Sequence, residues 1–233
     1  MQRVTANLEI HRAPHQPRWL AWFGRLYFWL TGWKIEGIVP DTPRMVIIAF
    51  PHTSNWDGWN LVVTSWIVRA DLRWVVKEEF MRWPFRWFIR ATGGLPIKRD
   101  GSQNVVDQAA RMLRDSEHML LLISPEGTRK KTDHWKTGFY WIAHKAEVPM
   151  LAARMDYGTK TISFTGPFEA TGDIEADIQP IWDAYRDIKA LHPEKMGEMV
   201  LRTKDKNRAV LSGRRSTTEK PNRVSEQEAT PKS

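Results

Sequence analysis

MVIIAF (residues 45–50) runs directly into PHTSNWDGWN (51–60), and these sixteen residues decide how the chain is read. Six consecutive apolar positions are too few for a useful helix and show no alternation, which is the pattern of a strand buried on both faces. Pro51 ends it. From Trp56 to Ala70 the apolar positions Trp59, Val63, Trp66, Ile67 and Ala70 recur at helical spacing, so a helix follows at once. The order strand, loop, helix then repeats outward. Arg73–Lys77 and GLPIKR (94–99) read as strands, the latter entered through Gly93-Gly94, and 102–117 reads as a helix. MLLLIS (119–124) is a second fully apolar strand, broken by Pro125 and Gly127. A helix over Gly138–Lys145, strands after Val148-Pro149 and over Thr161–Phe168, and a last helix marked by Ile181, Trp182, Tyr185, Ile188 and Leu191 complete the series, with Pro180 in that helix's first turn. Alternating strands and helices predict an α/β fold with a largely parallel central sheet flanked by helices, and ligands in such sheets sit beyond the carboxyl ends of the strands.

Composition narrows the chemistry. The 233 residues contain no cysteine, which excludes disulfides, thiolate metal sites and a cysteine nucleophile. Lys and Arg outnumber Asp and Glu by 35 to 27, and residues 202–233 hold nine of the cations against four carboxylates. Most of the basic excess therefore lies in a tail poor in apolar residues, for which disorder is expected. No nucleic-acid motif accompanies it, so nucleic acid is not an expected partner.

Four of the thirteen tryptophans fall in WLAWFGRLYFWLTGW (Trp19–Trp33). As a helix these residues would span roughly 22 Å, short of the ~30 Å hydrocarbon thickness. Arg25 interrupts the run and no small-residue cleavage site follows, so no cleaved signal peptide is expected. Aromatic bodies with polar edges, flanked by Arg18, Arg25 and Lys34, suit a helix lying in a membrane interface over 18–36; the competing reading is a core helix that uses its aromatics for packing. The expected organisation is a polar arm (1–17), this aromatic amphipathic segment (18–36), one α/β domain (37–201) and the basic tail (202–233), held peripherally on the cytoplasmic face of a membrane.

His52 and Asp57 stand five positions apart, which on one helix would turn them about 140° from each other. They meet if His52 lies on the loop and Asp57 in the first helical turn. A carboxylate on one imidazole nitrogen then fixes the tautomer and leaves the other nitrogen to take a hydroxyl proton. Chance alone yields roughly 0.4 such pairs in a chain of this composition, so the spacing needs support from elsewhere. SPEGTR (124–129) supplies it: Glu126 and Arg129 flank Gly127 and Thr128 in a turn at the end of the most apolar strand, where backbone N–H groups and a guanidinium suit a phosphate. Lys98 and Arg99, closing another strand, suit the same anion. Backbone donors for a developing oxyanion are expected in the loop after His52 or around Gly127. No metal site is read from the sequence.

His52 and Asp57, then Gly94-Leu95-Pro96-Ile97-Lys98-Arg99, then Pro125-Glu126-Gly127-Thr128-Arg129, then Val148-Pro149-Met150 resemble the four ordered blocks of the glycerolipid acyltransferase family, the lysophosphatidic acid acyltransferase-like proteins. The likeness covers roughly residues 45–155, and its PEGTR block is the most specific. The resemblance implies a glycerol-3-phosphate acyltransferase-like fold and a catalytic dyad of His52 and Asp57. It implies acceptor-phosphate binding by Lys98, Arg99, Glu126, Gly127, Thr128 and Arg129, and an acyl region involving Pro149. It further implies an acyl-CoA or acyl carrier protein as co-substrate, a lysolipid acceptor (1-acylglycerol-3-phosphate by default) and no bound cofactor. Bulky Trp56 beside Asp57 and the Lys-Arg-Asp ending of the second block depart from the commoner pattern. A non-catalytic lipid- or polyanion-binding protein and an acyltransferase for a non-glycerol lysolipid are the alternatives.

Overall fold

The computed structural model describes residues 16–97 and 105–201. Helix α1 (Arg18–Thr31) and strand β1 (Lys34–Gly37) precede the quoted strand, β2 (Arg44–Phe50). There follow α2 (Asn55–Val68), β3 (Leu72–Lys77), a 3-10 turn (Glu78–Phe80), α3 (Phe85–Ala91), β4 (Gly94–Ile97) and α4 (Val105–Asp115). The remainder is β5 (Met119–Ile123), α5 (Gly138–Ala146), β6 (Met150–Asp156), β7 (Thr161–Phe168) and α6 (Ile174–Asp183). One seven-stranded sheet results, in the order β1-β7-β6-β2-β5-β3-β4. The five strands from β6 to β4 are parallel, β7 runs antiparallel to β6, and β1 is parallel to β7.

The uninterrupted apolar run of β2 follows from its central place. Met45, Ile47 and Ala49 enter a core closed by α1 and α2, whereas Val46, Ile48 and Phe50 enter the opposite core closed by α4, α5 and α6. Each of these side chains except that of Ala49 contributes about 1.5–3 kcal/mol on full burial, so neither face could be polar without loss. The result is three layers, helix on sheet on helix. On the first face α1 approaches α2 closely at Gly24, where a Cβ would stand 2.8 Å from Ile67 Cγ1.

Three local expectations change. The N-terminal helix stops at Thr31, because Gly32 takes a left-handed φ of 79° and caps it, and Lys34–Gly37 pair with Thr161–Phe164 at the sheet edge. The last helix begins at Ile174 rather than at Pro180: the Asp173 side chain accepts from the N–H groups of Glu175 and Ala176, and Ile174, Ile178 and Ile181 form its buried stripe. Pro180 lies near its end, and Tyr185 and Ile188 are buried beyond it without being helical. Helix α3 and strand β1 carry too few buried residues to announce themselves by periodicity. Residues 1–15 of the polar arm, Lys98, Arg99 and the basic tail lie outside the described residues.

Candidate active site

Because β2, β5 and β6 are parallel, their exits share one edge of the sheet. His52 follows β2, the PEGTR turn follows β5, and Tyr157 follows β6. Helix α2 starts at this edge through a capping box, in which Ser54 Oγ accepts from the Trp56 N–H while Asp57 reaches back to the Ser54 N–H. That cap is what turns Asp57 toward the loop.

Asp57 is buried, with 1% of its side chain exposed. Its Oδ2 accepts from the N–H of Thr53 at 2.5 Å and of Ser54 at 2.8 Å. Its Oδ1 accepts from Ser54 Oγ at 3.0 Å and from the Tyr157 hydroxyl at 2.6 Å. His52 Nδ1 stands 3.8 Å from Oδ2, an ion-pair distance rather than a hydrogen bond. The two side chains read from the spacing are thus neighbours, with the imidazole second in line behind the backbone for the same oxygen. Burial lowers the His52 pKa, Asp57 opposes that, and the nearby Arg129 guanidinium reinforces it. At neutral pH the ring is uncharged, and Nε2 is left for a proton.

The PEGTR turn divides its labour in a way the motif alone does not show. Glu126 is fully buried: Oε2 accepts from the His52 N–H at 2.6 Å and Oε1 from the Gly197 N–H at 2.9 Å. Burial raises its pKa, against the pull of those two N–H groups. A carboxylate so enclosed would repel a phosphate and has no free oxygen to offer it. In this structure Glu126 holds the backbone of His52 and of Gly197. Arg129 is exposed and donates from Nη1 to Asn55 Oδ1, which pins the cation beside the dyad. Gly127 has φ 61°, and a Cβ there would meet the Lys136 Nζ at 2.7 Å, so this lysine adds a second cation over the turn. Thr128 is half-buried, and its Oγ1 accepts from the Lys130 N–H at 3.3 Å.

Pro149 precedes β6 and so stands at the opposite edge, its carbonyl accepting from the Val46 N–H at 3.0 Å. The register pairs Val46 with Met150 and Phe50 with Arg154, and those four residues of strand are ~13 Å long. Pro149 is not part of the His52 group. Of the N–H groups near His52 and Gly127, four are engaged within the protein: His52 donates to Glu126, Thr53 and Ser54 to Asp57, and Gly127 to the Ser124 carbonyl. Lys98 and Arg99 follow β4, which ends at Ile97 on the shared edge, but they lie outside the described residues.

Tyr157 and the segment 192–201 are the components that sequence reasoning missed. Trp33 packs edge-on against the Tyr157 ring at 4.9 Å between centroids, which holds the hydroxyl on Asp57. The later segment crosses the same edge: the His192 N–H donates to Thr53 Oγ1, Gly197 to Glu126, and Trp135 to the Val200 carbonyl. No local pattern in the sequence signals either. Among the described residues no group of three or more His, Cys, Asp or Glu is placed to hold a metal ion.

An imidazole beside a buried carboxylate, with cations alongside, thus stands at the strand-exit edge of an α/β sheet. Residues 35–156 match the family model described as Acyltransferase, and the chain belongs to that family. It is 26% identical over 140 residues to a 1-acyl-sn-glycerol-3-phosphate acyltransferase of Streptococcus pneumoniae (strain ATCC BAA-255 / R6), covering 60% of this chain and 48% of that protein. The chain thus spans about half the length of that curated relative. The crystal structure of the 1-acyl-sn-glycerophosphate (LPA) acyltransferase PlsC from Thermotoga maritima shares the fold, with a TM-score of 0.53, 19% identity, and coverage of 72% of this chain and 76% of that one.

Proposed function

We propose that the protein is an O-acyltransferase that moves a fatty acyl group from the thioester of acyl-CoA or acyl carrier protein to a hydroxyl of a 1-acylglycerol-3-phosphate-like lysolipid. His52 Nε2 removes the proton of the acceptor hydroxyl, and the oxygen attacks the thioester carbonyl carbon. The C–S bond then breaks, and the departing thiolate takes the proton back from the imidazolium. Asp57, 3.8 Å from the ring, stabilises its charged form. Arg129, with Lys136 and the residues 98 and 99 that follow β4, supplies positive charge for the acceptor phosphate. The observation that carries this reading is the 3.8 Å approach of His52 Nδ1 to the buried Asp57 carboxylate, beside Arg129 on one edge of the sheet.

Helix α1 supports a lipid acceptor. Its packing face is buried at Gly24 and Phe28, while Trp19, Trp22, Leu26, Trp29 and Leu30 line the opposite, solvent-facing side. An outward apolar stripe of this kind is what an interfacial helix presents to a membrane, and the core-helix reading does not account for it. No helix among the described residues is long and apolar enough to cross a membrane. The test is to incubate purified protein with labelled acyl-CoA or acyl carrier protein and a panel of glycerol and non-glycerol lysolipids, and to read products by mass. Acylated phosphate-bearing lysolipid, absent with His52→Ala, is the expected result; product formed equally well by His52→Ala would overturn the mechanism, and no product from any acceptor would favour a non-catalytic lipid binder.

A further inference from the structure

Between β3 and β4 the chain makes a second apolar surface that no part of the proposed chemistry uses. Phe80, Trp83, Phe85, Trp87 and Phe88 are 57%, 91%, 65%, 78% and 49% exposed. Within α3 only Ile89 is buried, and it is Ile89 that closes on Gly94, where a Cβ would come within 2.3 Å of it. Five large aromatic rings held in water within nine residues are costly for an ordinary surface loop, and a patch of this kind marks an interaction site.

What covers the patch is indicated by charge and by position. Lys77, Arg82, Arg86 and Arg90 are exposed in the same stretch, with Glu78 and Glu79 the only carboxylates among residues 77–91. Aromatic rings interleaved with arginines fit a boundary that is apolar on one side and anionic on the other, which is a lipid headgroup layer and not the dry face of a protein partner. The stretch also leaves the sheet at the right place. Lys77 ends β3 on the edge that carries His52, and α3 then packs on the α2 side of the sheet, the layer to which α1 belongs. Trp56, in the first turn of α2, is a further exposed aromatic at 58%.

We infer that residues 80–88 form a second membrane-docking element, which with α1 seats the sheet edge carrying His52 on an anionic bilayer. One helix alone leaves the protein free to roll about its axis. Two separated elements fix the tilt, so that a lysolipid rising from the bilayer meets the site in one orientation. The inference rests on the proposed lipid acceptor for its purpose, but its binding test does not depend on turnover.

Full-length protein is floated with vesicles of phosphatidylcholine alone and of phosphatidylcholine mixed with phosphatidylglycerol. Trp83→Ser/Trp87→Ser, both well exposed and so harmless to folding, is expected to weaken partitioning roughly ten- to a hundredfold. Arg82→Glu/Arg86→Glu should abolish the preference for the anionic vesicles. Turnover of a short-chain, water-soluble lysolipid should be unchanged in both variants, with the loss confined to acceptor embedded in vesicles. Wild-type partitioning by Trp83→Ser/Trp87→Ser overturns the inference, as does a wild-type dimer that this variant converts to monomer without change in vesicle binding. If wild type acylates nothing yet loses vesicle binding on these substitutions, the docking element stands and the proposed activity falls.

Discussion

Glu126→Gln separates two roles for the PEGTR turn. The wild-type carboxylate accepts one N–H on each oxygen, from His52 at 2.6 Å and from Gly197 at 2.9 Å. Glutamine keeps one acceptor and turns an NH₂ group against the other N–H. One charge-assisted bond is lost, worth about 1.5–3 kcal/mol, while removal of a buried charge returns part of the desolvation cost. Stability should therefore fall by no more than about 1–2 kcal/mol, whereas the His52 backbone loses its anchor. If that bond is what holds the imidazole in place, kcat falls by roughly 10- to 100-fold, with the acceptor KM changed far less. Glutamine also imitates the protonated acid. Because burial raises the Glu126 pKa, protonation on acidification should itself loosen the loop, and the variant should lack that component of the acid limb. Steady-state kinetics against acceptor concentration across pH, with thermal unfolding as control, give the answer. A kcat within about twofold of wild type, together with a raised acceptor KM, would refute the positioning role and restore direct ligand binding.

Three other outcomes are expected. His52→Ala should lower turnover about 10²- to 10⁴-fold without a shift in melting temperature, and the wild-type rate should rise with pH through a value below the ordinary histidine pKa, because burial disfavours the imidazolium. The same depressed pKa means that the folded state resists protonation more than the unfolded chain does, so this group's contribution to stability is present above the unfolded value and lost as pH falls. Tyr157→Phe removes a 2.6 Å bond to Asp57 Oδ1; a carboxylate with one donor fewer attracts the imidazolium more strongly, so the acid limb should move to higher pH, and an unmoved profile would mark the tyrosine as merely structural. Gly24→Ala should destabilise by about 1 kcal/mol in thermal melts, its helix-propensity gain being outweighed by the 2.8 Å approach to Ile67.

The sheet was legible because its central strands are buried on both faces: MVIIAF and MLLLI could be little else, and the dyad spacing was resolved by the strand's end at Pro51. Edges were less legible. KIEG at β1 buries only Ile35 fully, and a strand that leans on one neighbour leaves almost no periodic trace. Motif order says nothing about which end of a parallel strand a residue occupies, so the place of Pro149 at the start of β6 was not legible. The hold of Glu126 on the His52 N–H was not legible, because an acid in a glycine turn has the same sequence signature whether it faces a ligand or the backbone. Tyr157 lies 100 residues from Asp57, and a contact made only by tertiary folding has no local signature.

The crossing of 192–201 over the sheet edge has a consequence for how the protein is made. During synthesis the strands that carry His52 and Glu126 can pair before residue 197 exists, but the second N–H that steadies Glu126 arrives only with it. A nascent chain can thus have its sheet while the loops that carry His52 and Glu126 are still slack. Competence comes last, and a stop between 191 and 197 should yield a folded but idle protein.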